Sequence, residues 1–289
     1  SSRTLREFTL QEPIRYNSGD PVESWLNKVL CLDSVSQVNQ EPKDQKAHKN
    51  AMPHPDACSL YLVNRDTLFS YHKAAEAFLQ RLVSLYTSSH YKNTPNDLQL
   101  MSDAPGHLLF VLLAPGADQS SNGLPNILCF VQVALEGQLA KESIMNSFRR
   151  GKRAAGDLIP WAVTQQFQDD RFGGLSGARI VRIAVNPDCQ GMGYGTRAMR
   201  LLEEYFMGES LSVDDPVDPI SSSSVSQDMS DQQELKPRSN LKPLLTKTDE
   251  VKPLLLNWLG VSFGLTHELW RFYKRLKYRP VYLRQTVND

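Results

Sequence analysis

The sequence predicts an α/β fold, a mixed β-sheet flanked by helices. Three observations carry that prediction. The runs 107–113 (HLLFVLL), 127–135 (ILCFVQVAL) and 178–185 (ARIVRIAV) are apolar at successive positions, as in strands covered on both faces. Residues 66–89 repeat apolar side chains at helical spacing, with Leu68, Tyr71, Ala75, Phe78, Leu82 and Leu85 on one stripe. The two kinds of segment follow one another as β-α-β-β-α-β-α-insertion-β-α-β, and no repeat with a solenoid-like period is visible.

From the N-terminus, residues 1–20 read as extended and polar. Asp20 can cap a short helix with Pro21 at its first position and Glu23 completing a capping box; Trp25, Leu26, Val29 and Leu30 form its apolar face. Residues 33–57 read as a mobile polar loop that closes an N-terminal extension, 1–57. The packed unit, 58–289, opens with strand 58–63 and helix 66–89. Strands 107–113 and 127–135 suit an antiparallel hairpin with a long loop. Short helices at 140–150 and 160–167 precede strand 178–185 and helix 195–207. Residues 208–250 hold nine acids, four bases and no aromatic residue, so they read as a disordered insertion. Strand 258–263, helix 266–276, capped by Thr266, and strand 279–284 follow.

Composition excludes several classes. The 32 basic and 32 acidic residues cancel, which argues against a uniformly basic coat but leaves room for local patches. No run approaches the ~20 apolar residues of a membrane span, and the start has no signal-peptide core. Cys31, Cys58, Cys129 and Cys189 form no CxxC pair, and the six histidines show no metal-ligand spacing. Reduced thiols and no metal site are expected. A start without Met, and an end directly after a strand-like run, suggest an excised domain.

The sharpest local signal is strand 179–185 running into Gln190-Gly191-Met192-Gly193-Tyr194-Gly195-Thr196 and then a helix. Glycines allow close backbone approach, and a helix N-terminus offers unpaired N–H groups, so the turn reads as a pyrophosphate cradle. The dinucleotide fingerprint GxGxxG fails here because Thr196 stands in place of the third glycine, and no GxxxxGK[ST] run exists. A glycine-rich turn without a ligand is the alternative.

The Gln190-x-x-Gly193-x-Gly195 spacing is similar to the coenzyme A loop of GNAT-type acetyltransferases. The run Phe272–Tyr278 resembles the FY-x-x-x-G-F close of that fold, with Lys277 at the usual glycine, a substitution costing about 1 kcal/mol if the position is left-handed. Longer stretches narrow the likeness. Residues 61–69, 89–99, 156–161, 174–196 and 259–286 resemble the eukaryotic RNA cytidine acetyltransferase family; Asn186 and Cys189 depart from its pattern. The resemblance implies a GNAT-like mixed sheet. It also implies a last strand inserted between 258–263 and 279–284, which the chain ends too early to supply. Those two strands are therefore expected to lie a strand's width apart.

The resemblance further implies acetyl-CoA as cofactor and N4 of cytidine in RNA as acceptor. Ile183, Ala184 and Val185 would lie along the pantetheine at a splayed edge; Gln190, Gly191, Met192, Gly193, Tyr194, Gly195 and Thr196 would hold the pyrophosphate, with Arg275 nearby. His90 is the candidate proton acceptor and Tyr273 the candidate acid for the leaving thiolate; core packing is the alternative for Tyr273, and a dipole-favoured helix end for His90. Arg182, a charge inside an apolar strand, either faces the acceptor or makes an ion pair across the sheet. Lys92, Arg149, Arg150, Lys152 and Arg153 are candidates for RNA contact, and residues 252–284 add seven bases against one acid; solvated helix faces are the alternative. The implied partners are rRNA of the 18S type and tRNA, with a tRNA-binding adaptor protein and small nucleolar RNA guides, and no membrane. The implied place is the nucleus and nucleolus, in small-subunit ribosome biogenesis. The resemblance places ATP and Mg in a helicase-like ATPase module of the family, expected to lie outside this chain. A GNAT enzyme acting on protein amines and a catalytically silent RNA-binding scaffold remain as alternatives.

Overall fold

A computed structural model describes residues 14–32, 34, 52–89, 93–116, 124–150, 156–212, 216–219 and 242–285, with the side chains of 95 and 147–150 excepted. Helix α1 (Pro21–Val29) begins at Asp20, whose carboxylate accepts from the N–H groups of Val22 at 2.8 Å and Glu23 at 3.4 Å. Its expected apolar face is not buried: Trp25 is 60% exposed. Polar contacts hold the helix instead, a Lys28–Glu76 ion pair of 3.1 Å and a bond from Gln80 to the Lys28 carbonyl.

Strand β1 (Ser59–Val63) is followed by two helices, not one: α2 (Arg65–Leu68) and α3 (Lys73–Ser88). The expected helix 66–89 breaks where Tyr71 turns left-handed at φ 60, and His72 starts the new helix by accepting from the Ala74 N–H. Tyr71 therefore leaves the apolar stripe and is exposed, whereas Leu68, Ala75, Phe78, Leu82 and Leu85 are buried. Helix α4 (Pro95–Asp103) was not anticipated. It starts at Thr94 with Pro95 at its first position and a capping box closed by Asp97, whose carboxylate accepts from the Thr94 N–H at 2.8 Å.

Strands β2 (His107–Leu113) and β3 (Ile127–Gly137) form the expected antiparallel hairpin. Helices α5 (Lys141–Arg150) and α6 (Leu158–Phe167) lead into β4 (Ser176–Val185), antiparallel to β3. Helix α7 (Tyr194–Met207) comes next. Strand β5 (Leu245–Lys247) then pairs with β1 at one edge of the sheet, and β6 (Trp258–Val261) pairs in parallel with β4 at the other. Helix α8 (His267–Arg275) follows, capped by the Thr266 hydroxyl. The six strands lie in the order β5-β1-β2-β3-β4-β6.

Two expectations need correction. Residues 242–250 are ordered, though they fell inside the expected disordered insertion. The Thr248 hydroxyl and N–H both donate to the Leu60 carbonyl, and Val251 is buried beyond a parallel bridge to Val217. Leu244 and Leu245 pack against the α3-side core as β5 pairs with β1, a short apolar pair that the composition of the surrounding polar stretch hides. Conversely, 279–285 is exposed and joins no ladder among the described residues, so the expected strand 279–284 is not formed there. Lys277 is left-handed at φ 65, as its position at the helix end suggested.

The sheet is covered on both sides, which explains the unbroken apolar runs. From β2, Leu108, Phe110 and Leu112 pack in the layer of α7 and α8, while Leu109, Val111 and Leu113 pack in the layer of α3. Among the described residues no helix is long and apolar enough to cross a membrane.

Candidate active site

The site begins with a fault in β4. Opposite Gln132 and Val133 of β3, the register jumps from Arg182 to Ile180, leaving Val181 as an extra residue. The parallel ladder to β6 ends at that point, on the pair Ile180–Val261. Below the bulge β4 is paired on both sides. Above it, pairing to β3 runs on to Val185 opposite Cys129, and the other side of 181–185 has no ladder partner among the described residues. Ile183 and Val185 face the α7 layer, Arg182 and Ala184 the α3 layer.

The open half of β4 leads straight into the glycine turn. Asn186 caps a short 3-10 turn, Pro187–Cys189, by accepting from the Asp188 N–H. Gln190, Gly191, Met192 and Gly193 are exposed, and Gly191 and Gly193 take φ values of 78 and 97 that favour glycine. Gly193 is the N-cap of α7 and has no side chain to cap it, so the first N–H groups of the helix stay open to a ligand. Gly195 is buried; a Cβ there would stand 3.2 Å from Val185 and 3.6 Å from the Phe272 ring. The N-terminus of α7, the end of β4 and α8 thus meet around Gly195. An uncapped helix start, a left-handed glycine pair and an unpaired strand edge suit a phosphate-bearing chain with an amide-rich arm.

Tyr273, next to Phe272 on α8, lies in an aromatic group with Phe263, Phe272 and Tyr278, at ring distances of 4.9, 5.0 and 5.5 Å. It is buried, and burial pushes its hydroxyl pKa up to about 12. Arg275 is not brought to the turn. It is exposed, donates to the Arg271 carbonyl, and lines a groove with Arg200, Glu203, Met207 and Lys277 along the later part of α7.

Arg182 has protein partners. Its guanidinium sits 3.5 Å above the Tyr86 ring and donates to the Tyr86 carbonyl at 3.0 Å and to Asn93 Oδ1 at 2.7 Å, with Asp97 4.0 Å away. These contacts come from α3, α4 and Asn93 between them and not from across the sheet, and they tie the end of α3 and the start of α4 to the bulge. Burial raises the Tyr86 pKa to about 12 and lowers that of Arg182, opposed in Arg182 by Tyr86 and Asp97. His90, Lys92, Lys152 and Arg153 lie outside the described residues, as do the side chains of Arg149 and Arg150 at the end of α5.

The sequence reading missed Tyr86, Asn93 and Asp97; the only trace of them was the lone charge at Arg182. It also missed a second buried charge pair in the sheet, Arg179 with Glu136 at 2.6 Å, where Glu136 also accepts from the Ile159 N–H at 3.0 Å. Arg179 was as odd in its strand as Arg182.

A split sheet with a glycine turn at the tip of the split defines the class: a GNAT-type acetyltransferase domain. Residues 81–289 match the family model GNAT acetyltransferase 2, and residues 1–33 match RNA cytidine acetyltransferase NAT10/TcmA, helicase domain, which corrects the expectation that no part of the helicase-like module is present. The chain is 54% identical to an RNA cytidine acetyltransferase of Dictyostelium discoideum and 52% identical to one of Saccharomyces cerevisiae, in each case over all of this chain and 28% of the relative. Among solved structures, a ribosomal-protein-alanine N-acetyltransferase from Brucella melitensis aligns over 81% of this chain and 99% of its own, at 10% identity and a TM-score of 0.36. The chain belongs to the RNA cytidine acetyltransferase family, and it spans about a quarter of the length of the curated relatives named here.

Proposed function

We propose that this chain is the acetyl-transfer unit of an enzyme that acetylates N4 of cytidine in RNA, with acetyl-CoA as donor. The observation that carries the reading is the bulge-opened edge of β4 leading into an uncapped glycine turn. Bound acetyl-CoA supplies an activated acyl thioester. The residues that would hold it are Gly191–Thr196 at the pyrophosphate and the backbone of Ile183–Val185 along the arm; the N–H groups of Ile183 and Val185, which turn away from β3, would fix the acyl oxygen. Tyr273 stays protonated at neutral pH and can supply a proton to the departing sulfur. His90 is proposed to take the proton from N4, on the family likeness. Arg182 positions the acceptor wall through Tyr86 and Asn93.

The acceptor is proposed to be rRNA and tRNA. A target base in folded RNA must leave its stack, and phosphate contacts need positive charge. Residues 141–153, with five bases to one acid, and the closing segment 252–284 supply it. Guide RNAs, a tRNA-binding adaptor and a nucleolar setting in small-subunit biogenesis belong to the same proposal, as does ATP use by a helicase-like module of the whole protein. The test is mass spectrometry for N4-acetylcytidine in RNA incubated with the full-length protein and acetyl-CoA. Modified cytidine is expected with the wild type and not with Gly195→Glu; its absence in both overturns the proposal.

A further inference from the structure

The glycine turn is fastened from outside by the segment that precedes β1. Tyr194 donates its hydroxyl to the Pro53 carbonyl at 2.6 Å. Arg197, one turn on, donates from Nε to the Cys58 carbonyl at 3.4 Å and from Nη2 to the Asp56 carbonyl at 3.2 Å. The Pro55 ring lies beside Gly193, 3.5 Å from where a Cβ would stand. The segment is itself anchored at both ends, since Met52 packs against the core and Cys58 is buried. Tyr194 is 1% exposed, although the four residues before it are all exposed.

Gly191 and Gly193 give the turn its shape but cannot hold it, because glycine has the most backbone freedom to lose. Something outside the turn must select φ values of 78 and 97. We infer that Tyr194 and Arg197 are positioning residues for the anionic end of the cofactor, holding the glycine turn in its phosphate-ready form by stapling it to residues 53–58. Both side chains are engaged with carbonyl oxygens, so each acts through the backbone and not by touching phosphate. The segment 53–58, polar and upstream of the first strand, becomes a working part of the cofactor site. The inference rests on the coenzyme A reading above.

The experiment is calorimetry on the full-length protein with three probes: coenzyme A, adenosine 3′,5′-bisphosphate, and phosphate-free S-acetylpantetheine. In Tyr194→Phe, affinity for the first two is expected to fall about tenfold, the scale of one lost hydrogen bond, while S-acetylpantetheine binds as in the wild type. Arg197→Gln is expected to shift the same two ligands in the same direction. Unaltered S-acetylpantetheine binding also shows that the variants are folded. Variants that bind coenzyme A like the wild type overturn the staple, and so does an equal loss for all three probes, which is what general damage gives. A wild type that binds none of the three overturns the cofactor reading itself, and the staple with it.

Discussion

Residues 176–180 and 181–185 belong to one strand but meet opposite surroundings. The first half of β4 is hydrogen-bonded on both sides, and Gly177 lets the Trp258 indole lie so close that a Cβ would come within 1.9 Å of its ring. The second half, past one extra residue at Val181, keeps β3 and loses β6. The physical lesson is that a strand can pass from paired on both sides to open on one at a single bulge without any change in hydrophobic character, and the proposed function makes that open edge the cofactor's. Substitutions in the closed half should therefore cost stability, and those around the open half should cost binding.

The largest separation is expected from Gly195→Glu. The side chain would press on Val185 and bring a negative charge to the uncapped start of α7. Coenzyme A affinity should fall at least about a hundredfold, while the far-ultraviolet dichroism of the fold persists, overpacking costing about 1–3 kcal/mol. Unchanged affinity by calorimetry would break the comparison. The reciprocal change is Gly177→Ala. It forces the Trp258 ring away, and unfolding free energy from urea titration should drop by about 2 kcal/mol or more, with cofactor affinity of the folded protein intact. A loss of affinity without loss of stability contradicts the assignment of this half.

Arg182→Met sharpens the boundary between the halves. It strands the Asn93 and Tyr86 acceptors and should cost about 1–3 kcal/mol of stability. Because those contacts lie in the α3 layer, coenzyme A affinity should hold while kcat for RNA acetylation falls, with partial rescue by Arg182→Lys. Were the guanidinium to touch substrate, its loss would instead raise KM for RNA without cost to the fold. The smallest effect concerns pH. With its pKa raised to about 12, Tyr273 remains protonated through pH 10, so kcat should show no falling alkaline limb from this group below that value. A limb near pH 9 that Tyr273→Phe removes would contradict its place in the aromatic group.

Much of this was legible in the sequence, for identifiable reasons. The runs 107–113 and 178–185 disclosed a sheet covered on both faces, because double coverage removes polar alternation. The glycine turn was legible because φ values of 78 and 97 leave few residues but glycine. The bulge was not, since Val181 is an ordinary strand residue and its extra count exists only against β3. Strand β5 was hidden because it is three residues long and its apolar contribution, Leu244 and Leu245 against the α3-side core, lies inside a polar stretch. The helix break at Tyr71 was hidden because an apolar residue sat where the stripe required one. The partners of Arg182 come from α3 and the Asn93–Asp97 stretch, positions that only the folded chain brings together.

Amide hydrogen exchange with and without acetyl-CoA tests the central claim most directly, because it reads both halves of β4 in one sample. Slower exchange is expected at the outward-facing amides 183 and 185 and at 190–196 when the cofactor is added, with amides 177–180, in the half paired on both sides, unchanged. Protection spread evenly along β4, or none at the glycine turn, would contradict the account.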